Sequence, residues 1–587
     1  MSRIAIVERE KCHPQRCGNY WCMGVCPVNR NEEECICKNE QTTKIVIDEK
    51  LCIGCGICVK CPFDAIKIIN LPEKLNESPI IRYGMNSFEL FRLPVPKENK
   101  CIGILGRNGI GKSTALSILS NALKPNFGDY TKKLDQNSII SNFSGTILGS
   151  YLKRLYNNEI KISYKPQRVD LIPSYYKGTV ISIMKSTDQK GTAEKLLNDL
   201  DLYNIKDRDI QSLSGGELQR LAIASAMSKK ADFYYFDEPA SFLDITQRVK
   251  VAKLINNLGK TSSVMVVEHD LATLDYISDE IQIFYGEQSA YGIVSQNKSV
   301  RRGINEYLDG FLPDDNVRFR NYPIRFSKPV ESNLKQETLF EFPELEKDYE
   351  TFKLKTNQGS LKKGEVLAIM GSNGLGKSTF LKMLAGIEQP TKGDLKEIKI
   401  SYKPQILHAE NGIVKDYLKG IAIESFESGW YKQNILEKLN IKSILNNEIK
   451  TLSGGELQKV NIAACLSNDV DVYALDEPSA FIDIEDRLNI AEVIKEFCIR
   501  KDCCAIVVDH DIQFIDYLAD SIIVFEGSPG LHGYVFGPTN KKTGMNRVLK
   551  NLDITYRMDK ETHRPRINKP DSQLDAQQKK NNNYYYI

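Results

Sequence analysis

LSGGELQ occupies Leu213–Gln219 and recurs unchanged at Leu452–Gln458. Each copy is followed by an apolar run that ends in two carboxylates and a proline. These are FYYFDEP, with Asp237 and Glu238, and VYALDEP, with Asp476 and Glu477. Each is preceded by a glycine loop, GRNGIGKST (Gly106–Thr114) and GSNGLGKST (Gly371–Thr379). A histidine motif closes each set, VVEHD with His269 and VVDHD with His510. Four motifs in one order, twice over, make the chain an internal duplication. Lys377 follows Lys112 by 265 positions, whereas Gln405, Ser453, Asp476 and His510 follow Gln167, Ser214, Asp237 and His269 by 238 to 241. The first copy therefore carries an insertion of about 27 residues between its glycine loop and its YKPQ. That insertion is not part of the shared chemistry.

The chain's 587 residues predict several domains. A charged fraction of 26% and a net charge of +3 fit a soluble globular protein and give no whole-molecule bias toward acidic partners. No apolar run approaches the ~18 residues of a membrane span, and the start MSRIAIVEREKCH lacks the apolar core of a secretory signal. A cytoplasmic protein without membrane contact is expected.

Ten of the 15 cysteines lie between Cys12 and Cys61. In a reducing compartment such density points to ligation rather than disulfides. The first run is C-x4-C-x4-C-x3-C-P (Cys12, Cys17, Cys22, Cys26, Pro27) and the second C-x2-C-x2-C-x2-C-P (Cys52, Cys55, Cys58, Cys61, Pro62). Two Cys-Pro endings are the habit of two-cluster ferredoxins, in which the cysteine before proline crosses to the other cluster. The implied sets are Cys12, Cys17, Cys22 with Cys61, and Cys52, Cys55, Cys58 with Cys26. A pair of zinc knuckles is the other reading of such CxxC pairs. The second run is one residue shorter before Cys61 than the ferredoxin pattern. One residue spans about 3.3–3.6 Å, more than a ~2.3 Å metal–sulfur bond, so that loop must rearrange for Cys61 to serve its site. Cys35 and Cys37 are expected to be bystanders.

The glycine loops predict their own chemistry. Cys101–Leu105 is a buried strand, and Gly111 opens a helix whose first turn holds Lys112, Ser113 and Thr114. Backbone N–H groups of Asn108, Gly109 and Gly111 would surround phosphate, Lys112 would reach the β and γ oxygens, and Ser113 would ligand Mg²⁺. Asn373, Gly374, Gly376, Lys377, Ser378 and Thr379 repeat the set. Asp237 and Asp476 would hold Mg²⁺ through water, and Glu238 and Glu477 would polarise the attacking water. Gln167 and Gln405 would complete the metal shell, and His269 and His510 would contact the γ-phosphate. Two acids at a buried strand end need a cation to pair with. Tyr83 and Phe88, ahead of the first loop, fit either adenine stacking or core packing. Ser214, Gly215, Gly216 and Glu217, with Ser453, Gly454, Gly455 and Glu456, form a second anion-binding surface at a helix start. Packed head-to-tail, each signature would cover the other copy's phosphate, making ATP the glue of a two-state switch.

Within the insertion, at about 131–161, Ile147, Leu148, Tyr151, Leu152, Leu155 and Tyr156 share one helix face, with Ser144 as the expected N-cap. Lys153 and Arg154 fall off that stripe, as a solvated face or a contact with a phosphate backbone. Residues 299–328 are Arg-rich (Arg301, Arg302, Arg318, Arg320, Arg325), and Lys541–Lys569 carries nine Lys/Arg against three Asp/Glu. The tail QQKKNNNYYYI is too polar and repetitive to predict as folded.

The order loop, Gln, LSGGE, Asp-Glu, His resembles the ATP-binding-cassette family. With the double Cys-Pro domain, the insertion and two Arg-rich hinges, the chain resembles its E subfamily, the ribosome-recycling factors also called RNase L inhibitor, from about Arg3 to the RPRINK of Arg564–Lys569. The resemblance implies an α/β fold, two P-loop ABC-type nucleotide-binding domains in tandem behind a small α+β ferredoxin-like iron–sulfur domain. The expected division is 1–71 iron–sulfur domain, 72–297 first nucleotide-binding domain, 298–330 hinge, 331–540 second nucleotide-binding domain and 541–587 second hinge and tail. It also implies two [4Fe–4S] clusters and an ATPase that splits ribosomes after termination and stays with the small subunit. Its contacts would be ribosomal RNA, through the basic insertion and hinges, and a release-factor-like protein, with initiation factors as further candidates. Departures from the family pattern are an extra residue between Cys17 and Cys22, the missing one before Cys61, and Asp509 in place of glutamate. An iron–sulfur electron carrier and the cytosolic ATPase of a transporter are the rival classes. The first leaves the twin ATPase motifs unexplained, and the second leaves the cysteine domain and hinges without a use.

Overall fold

In the computed structural model the described residues are 3–70, 77–132, 134–326, 337–396, 398–405, 411–423 and 425–586. The expected boundary at 71/72, the end of the first hinge and Lys133 of the insertion lie outside them. The chain forms two compact units, Met1–Phe242 with Lys250–Pro323, and Leu243–Val249 with Ile324–Ile587.

In the first unit, strands Arg3–Val7 and Ile66–Asn70 pair antiparallel, and Ile36–Lys38 pairs with Ile45–Ile47. Ala5, Val7, Ile36, Ile45, Ile47 and Ile66 bury together with Cys12, Cys22, Cys26, Cys35 and Cys58. So small a core is marginal alone, and sites of this size are usually reinforced by metal. The subdomain is fastened to the first cassette through Asn86. Its side chain bonds both the N–H (2.8 Å) and the carbonyl (2.9 Å) of Ile47, while Val7 N–H donates to its carbonyl at 3.0 Å. Arg82 adds an ion pair to Glu49 at 2.6 Å.

The cassette sheet is built on the strand foreseen from the sequence, Cys101–Leu105, every residue of it buried. Parallel neighbours are Glu280–Glu287 on one side and Ser263–Val267, Phe233–Asp237 and Ile162–Lys165 in turn on the other. The full burial of Cys101–Leu105, Phe233–Asp237 and Ser263–Val267 suits a parallel sheet covered on both faces. The second unit repeats the order with Ser521–Ser528, Val366–Met370, Cys504–Val508, Val472–Asp476 and Ile400–Lys403. Both sheets bring the glycine loop, the Asp-Glu pair and the histidine to the carboxyl ends of adjacent strands, where open α/β sheets bind ligands.

Several expectations change. The insertion helix is Ile147–Tyr156, but Thr146 caps it, its hydroxyl accepting from Gly149 N–H at 2.9 Å; Ser144 lies outside. Ile147, in the first turn, is 66% exposed, while Leu148, Tyr151, Leu152, Leu155 and Tyr156 are buried. Both basic segments contain a helix, Val300–Asp309 and Lys541–Asn551. Arg320 is buried, with its guanidinium on the carbonyls of Tyr307 and Leu308, and Arg564 is fully buried. Neither can contact RNA. The tail is also ordered. Gln573–Lys580 is a helix capped by Ser572, and the hydroxyls of Tyr585 and Tyr586 both donate to the Asp516 carboxylate. Aromatic burial and one carboxylate outweigh the polar composition.

Candidate functional site

Each glycine loop ends on a residue that must be glycine. Gly111 (φ +94°) and Gly376 (φ +91°) sit in the left-handed region at the N-caps of helices Lys112–Leu119 and Lys377–Leu384. A Cβ on Gly111 would also come within 2.7 Å of Phe88, and one on Gly376 within 3.0 Å of Phe352. These rings therefore support the loops from beneath, which makes Phe88 a packing residue. Tyr83 is different: it is 54% exposed and its hydroxyl lies 3.0 Å from that of Thr114. Its counterpart in the second cassette, Tyr349, bonds Thr379 and was missed in the sequence. The 265-residue offset of the glycine loops applied to Tyr83 lands one position away from it.

Lys112 folds over its loop, donating to the carbonyls of Gly106 (2.8 Å) and Arg107 (2.6 Å). Lys377 does the same to Gly371 (2.6 Å) and Ser372 (3.0 Å), and His510 Nε2 stands 3.4 Å away. Ser113 bonds Asp237, and Ser378 Oγ donates to Asp476 Oδ2 at 2.9 Å. A hydroxyl beside a buried carboxylate is a fitting pair for a hard divalent cation. Burial pushes both aspartates above the ordinary carboxylate range, the direction a nearby cation would reverse.

Glu238 and Glu477 are held in an unusual backbone conformation. Both are non-glycine residues at φ +47° and +48°, a conformation that costs about 1–3 kcal/mol and persists only where the surroundings enforce it. Gln167 Nε2 donates to Glu238 Oε1 at 2.7 Å, and Gln405 to Glu477 at 2.7 Å. His269 Nε2 lies 3.5 Å from Glu238 Oε1, and His510 Nε2 lies 3.4 Å from Glu477 Oε1. Burial works against ionisation of these glutamates, but the adjacent histidine and the loop lysine outweigh it and hold both down at about 2. The carboxylates are thus ionised, each accepting from a glutamine and facing a histidine.

Ser214 and Ser453 cap the signature helices Gly215–Ser228 and Gly454–Leu466, each in a reciprocal pair with Glu217 or Glu456. A Cβ on Gly216 would meet the carbonyl of Phe242 at 2.9 Å and one on Gly455 that of Phe481 at 3.0 Å. Asp244 was also missed. It belongs to the second compact unit, where it accepts from Asn373 N–H at 2.9 Å, while Thr246 and Ser372 share a 2.8 Å hydrogen bond. The repeated SFLD/AFID that follows the acids, ending in Asp244 and Asp483, is the signal that would have found it.

The cysteines gather as two sets. Cys12, Cys17, Cys22 and Cys61 line one pocket of ≈330 Å³, its open mouth included. Cys26, Cys52, Cys55 and Cys58 line another of ≈300 Å³. The short spacing before Cys61 is absorbed by a 3₁₀ turn, Ile57–Lys60, with Cys61 N–H on Cys58 O. The extra residue before Cys22 is absorbed by Asn19 and Tyr20, both left-handed. Both departures from the usual spacing fall at the same pocket. Among the described residues no three Cys, His, Asp or Glu side chains converge tightly enough for a single metal ion. Four thiols ring the first pocket and five the second, donor sets that fit thiolate ligation of iron–sulfur clusters. Burial pushes the Cys22 thiol up to about 12 and Cys58 to about 11, so their thiolates need cationic partners. Cys35, expected as a bystander, is buried in the wall of the second pocket against Cys26 and Cys52. Cys37 lines neither pocket.

The ABC transporter family model matches residues 95–241 and 354–480, and one described as a possible Fer4-like domain in RNase L inhibitor matches 2–34. An uncharacterised ABC transporter ATP-binding protein of Methanocaldococcus jannaschii is 48% identical over 100% of this chain and 98% of its own. Translation initiation factor RLI1 of Saccharomyces cerevisiae is 42% identical over 100% and 98%, and ABC transporter E family member 1 of Arabidopsis thaliana 40% over 100% and 99%. A chain from a model of ribosome-bound archaeal Pelota and ABCE1 superposes with TM-score 0.93 at 48% identity, covering 100% of this chain and 99% of that one. One from a complex of an archaeal ribosomal stalk protein with an archaeal ribosome recycling factor gives 0.84 at 48%, covering 88% and 100%.

Proposed function

Since the chain belongs to the E family of ATP-binding-cassette proteins, the family of the RNase L inhibitor, we propose that this ATPase splits ribosomes into subunits after termination and then stays on the small subunit. The observation that carries this reading is the full-length likeness to a chain described as ribosome-bound beside Pelota, at TM-score 0.93. That relative's company argues for a release-factor-like partner, and the yeast relative's name for a role near initiation. Among the described residues no helix is long and apolar enough to cross a membrane.

In each cassette the loop lysine neutralises β and γ oxygens, and Ser113 with Asp237, or Ser378 with Asp476, holds Mg²⁺. Glu238 and Glu477 orient the attacking water, Gln167 and Gln405 register the γ-phosphate, and His269 and His510 steady the glutamate and touch that phosphate. Tyr83 and Tyr349 stack adenine. Ser214 and Ser453 meet the nucleotide of the opposite cassette. The N-terminal domain holds two [4Fe–4S] clusters, on Cys12, Cys17, Cys22, Cys61 and on Cys26, Cys52, Cys55, Cys58. When bound, they supply rigid cross-links between the two cysteine runs. RNA contact falls to the exposed Lys153, Arg301, Arg318 and Arg325.

Sedimentation of intact ribosomes with the purified protein, a release-factor-like partner and ATP tests the reading. Conversion to free subunits, with the protein on the small one, is expected; intact ribosomes alongside ATP turnover would refute it. Iron and acid-labile sulfide should each come to about eight per chain, four per cube. About four, or zinc, would overturn the two-cluster assignment.

A further inference from the structure

A buried lysine stands behind each of the two Asp-Glu turns. Lys165 ends strand Ile162–Lys165 at 1% exposure, and Lys403 ends Ile400–Lys403 at 2%. Each is followed by Pro and then by the γ-phosphate-sensing glutamine, Lys165-Pro166-Gln167 and Lys403-Pro404-Gln405. Neither lysine has a hydrogen bond to a carboxylate oxygen. Lys165 Nζ donates to the main-chain carbonyls of Asp237 (2.8 Å) and Glu238 (3.3 Å), and Lys403 Nζ to those of Asp476 (2.6 Å) and Glu477 (3.5 Å). The signature helix supplies a second donor to the same place: Gln219 Nε2 reaches Glu238 O at 2.7 Å and Gln458 Nε2 reaches Glu477 O at 2.6 Å.

Burying an ammonium is expensive even with carboxylates near enough to attract it, Asp237, Glu238 and Glu268 in one cassette and Asp476, Glu477 and Asp509 in the other, and its direct hydrogen bonds go to main-chain carbonyls. The arrangement nevertheless occurs in both cassettes, with the same donors on the same carbonyls. What those carbonyls have in common is the left-handed turn at Glu238 and Glu477. Fixing the carbonyls on either side of the glutamate Cα fixes the direction in which the glutamate side chain leaves the strand. The same Lys-Pro-Gln strand also holds that side chain, through Gln167 and Gln405 at 2.7 Å each.

We propose that Lys165 and Lys403 are positioning residues for ATP hydrolysis, clamping the strained backbone of Glu238 and Glu477 and tying it to the strand that carries the γ-phosphate-sensing glutamine. Gln219 and Gln458 are the other jaw of each clamp, so the signature helix and the glutamine strand both act on one carbonyl. The proposal rests on the reading of Glu238 and Glu477 as the water-orienting groups.

The test uses the full-length protein with Lys165→Met and Lys403→Met combined, following kcat, KM for ATP and Tm. The lysines touch main chain rather than nucleotide, so kcat should fall about 10- to 100-fold while KM stays within about twofold. Tm should fall, because the buried carboxylates of Asp237, Glu238 and Glu268, and of Asp476, Glu477 and Asp509, lose a neighbouring cation, so kcat in the folded fraction is the deciding readout. A merely structural lysine would lower Tm with kcat preserved in the folded fraction. Should the methionine variant not fold, Gln219→Leu with Gln458→Leu releases the same carbonyls and should lower kcat alone. Unchanged kcat in whichever variant folds overturns the proposal. Adding Lys165→Met and Lys403→Met to Glu238→Gln with Glu477→Gln should cause no further loss. Normal turnover in the glutamine variant by itself would instead remove the glutamates, and this proposal with them. A dead glutamine variant beside a normal lysine variant would remove only the lysines.

Discussion

The two cassettes are alike at the reacting groups and unlike one residue behind them. Gln-to-Glu distances are 2.7 Å in both, and the glutamates share a φ of +47° or +48°. Behind them, Glu268 of the first cassette accepts from Ala240 N–H (3.0 Å) and His269 N–H (2.8 Å). In the second, the shorter Asp509 occupies that place and accepts from Ser479 N–H (3.0 Å) and Ser479 Oγ (2.8 Å). A serine stands where the first cassette has alanine, and its hydroxyl meets the retracted carboxylate. Farther out the divergence grows. The first cassette holds the cysteine subdomain through Arg82 and Asn86, on the turn that also carries Tyr83. The second instead takes the C-terminal tyrosines on Asp516, in the helix that follows His510. Geometry at the reacting atoms is fixed by chemistry, and each site's coupling to the rest of the chain is free to differ.

The largest effect should come from Glu238→Gln with Glu477→Gln, which removes the water-orienting base from both sites. Phosphate release should fall on the order of 10²- to 10⁴-fold with ATP still bound; ordinary turnover would mean the matched glutamates are not what makes the cassettes alike. Next, Ser214→Arg should impair the site on Lys377, and Ser453→Arg the site on Lys112, each by about tenfold or more, the rate equivalent of ~1.4 kcal/mol. Nucleotide occupancy resolved by site decides this, and a defect confined to the same cassette would end the head-to-tail arrangement.

Ser479→Ala should cost about 1–3 kcal/mol, because a buried carboxylate loses its hydroxyl donor. Ala240→Ser should be close to neutral, since Glu268 already reaches its partners. Denaturant unfolding measures both, and Asp509→Glu should restore part of the loss in the Ser479→Ala background. Equal costs in the two cassettes would show that the serine does not compensate for the shorter acid. The smallest effect is expected from Tyr586→Phe, about 1 kcal/mol for one hydrogen bond to Asp516, read as a lower unfolding midpoint of the second cassette with the first unchanged.

Much of this was legible in the sequence because the motifs are local. The glycine loops, the strand Cys101–Leu105, the acids and the signature caps sit on short stretches whose geometry follows from residue type. The cysteine sets were legible too, since the Cys-Pro rule names the crossing ligands. What escaped depends on contacts across the fold. Tyr349 lies one residue off the repeat offset. Asp244 acts on a loop about 130 positions away. Arg320 and Arg564 count as basic in a composition but are buried in the structure. The tail looked disordered because its polar run hides two aromatic anchors whose partner, Asp516, is about 70 residues upstream.

The most direct test of two equivalent sites with separate couplings is to count trapped nucleotide. Purified chains carrying Glu238→Gln, Glu477→Gln or both would be incubated with labelled ATP and Mg²⁺ and then stripped of free nucleotide. The account predicts about one unhydrolysed ATP retained per chain in each single variant and two in the double. Retention of none in the double variant, or of hydrolysed product at ordinary rates, would contradict it.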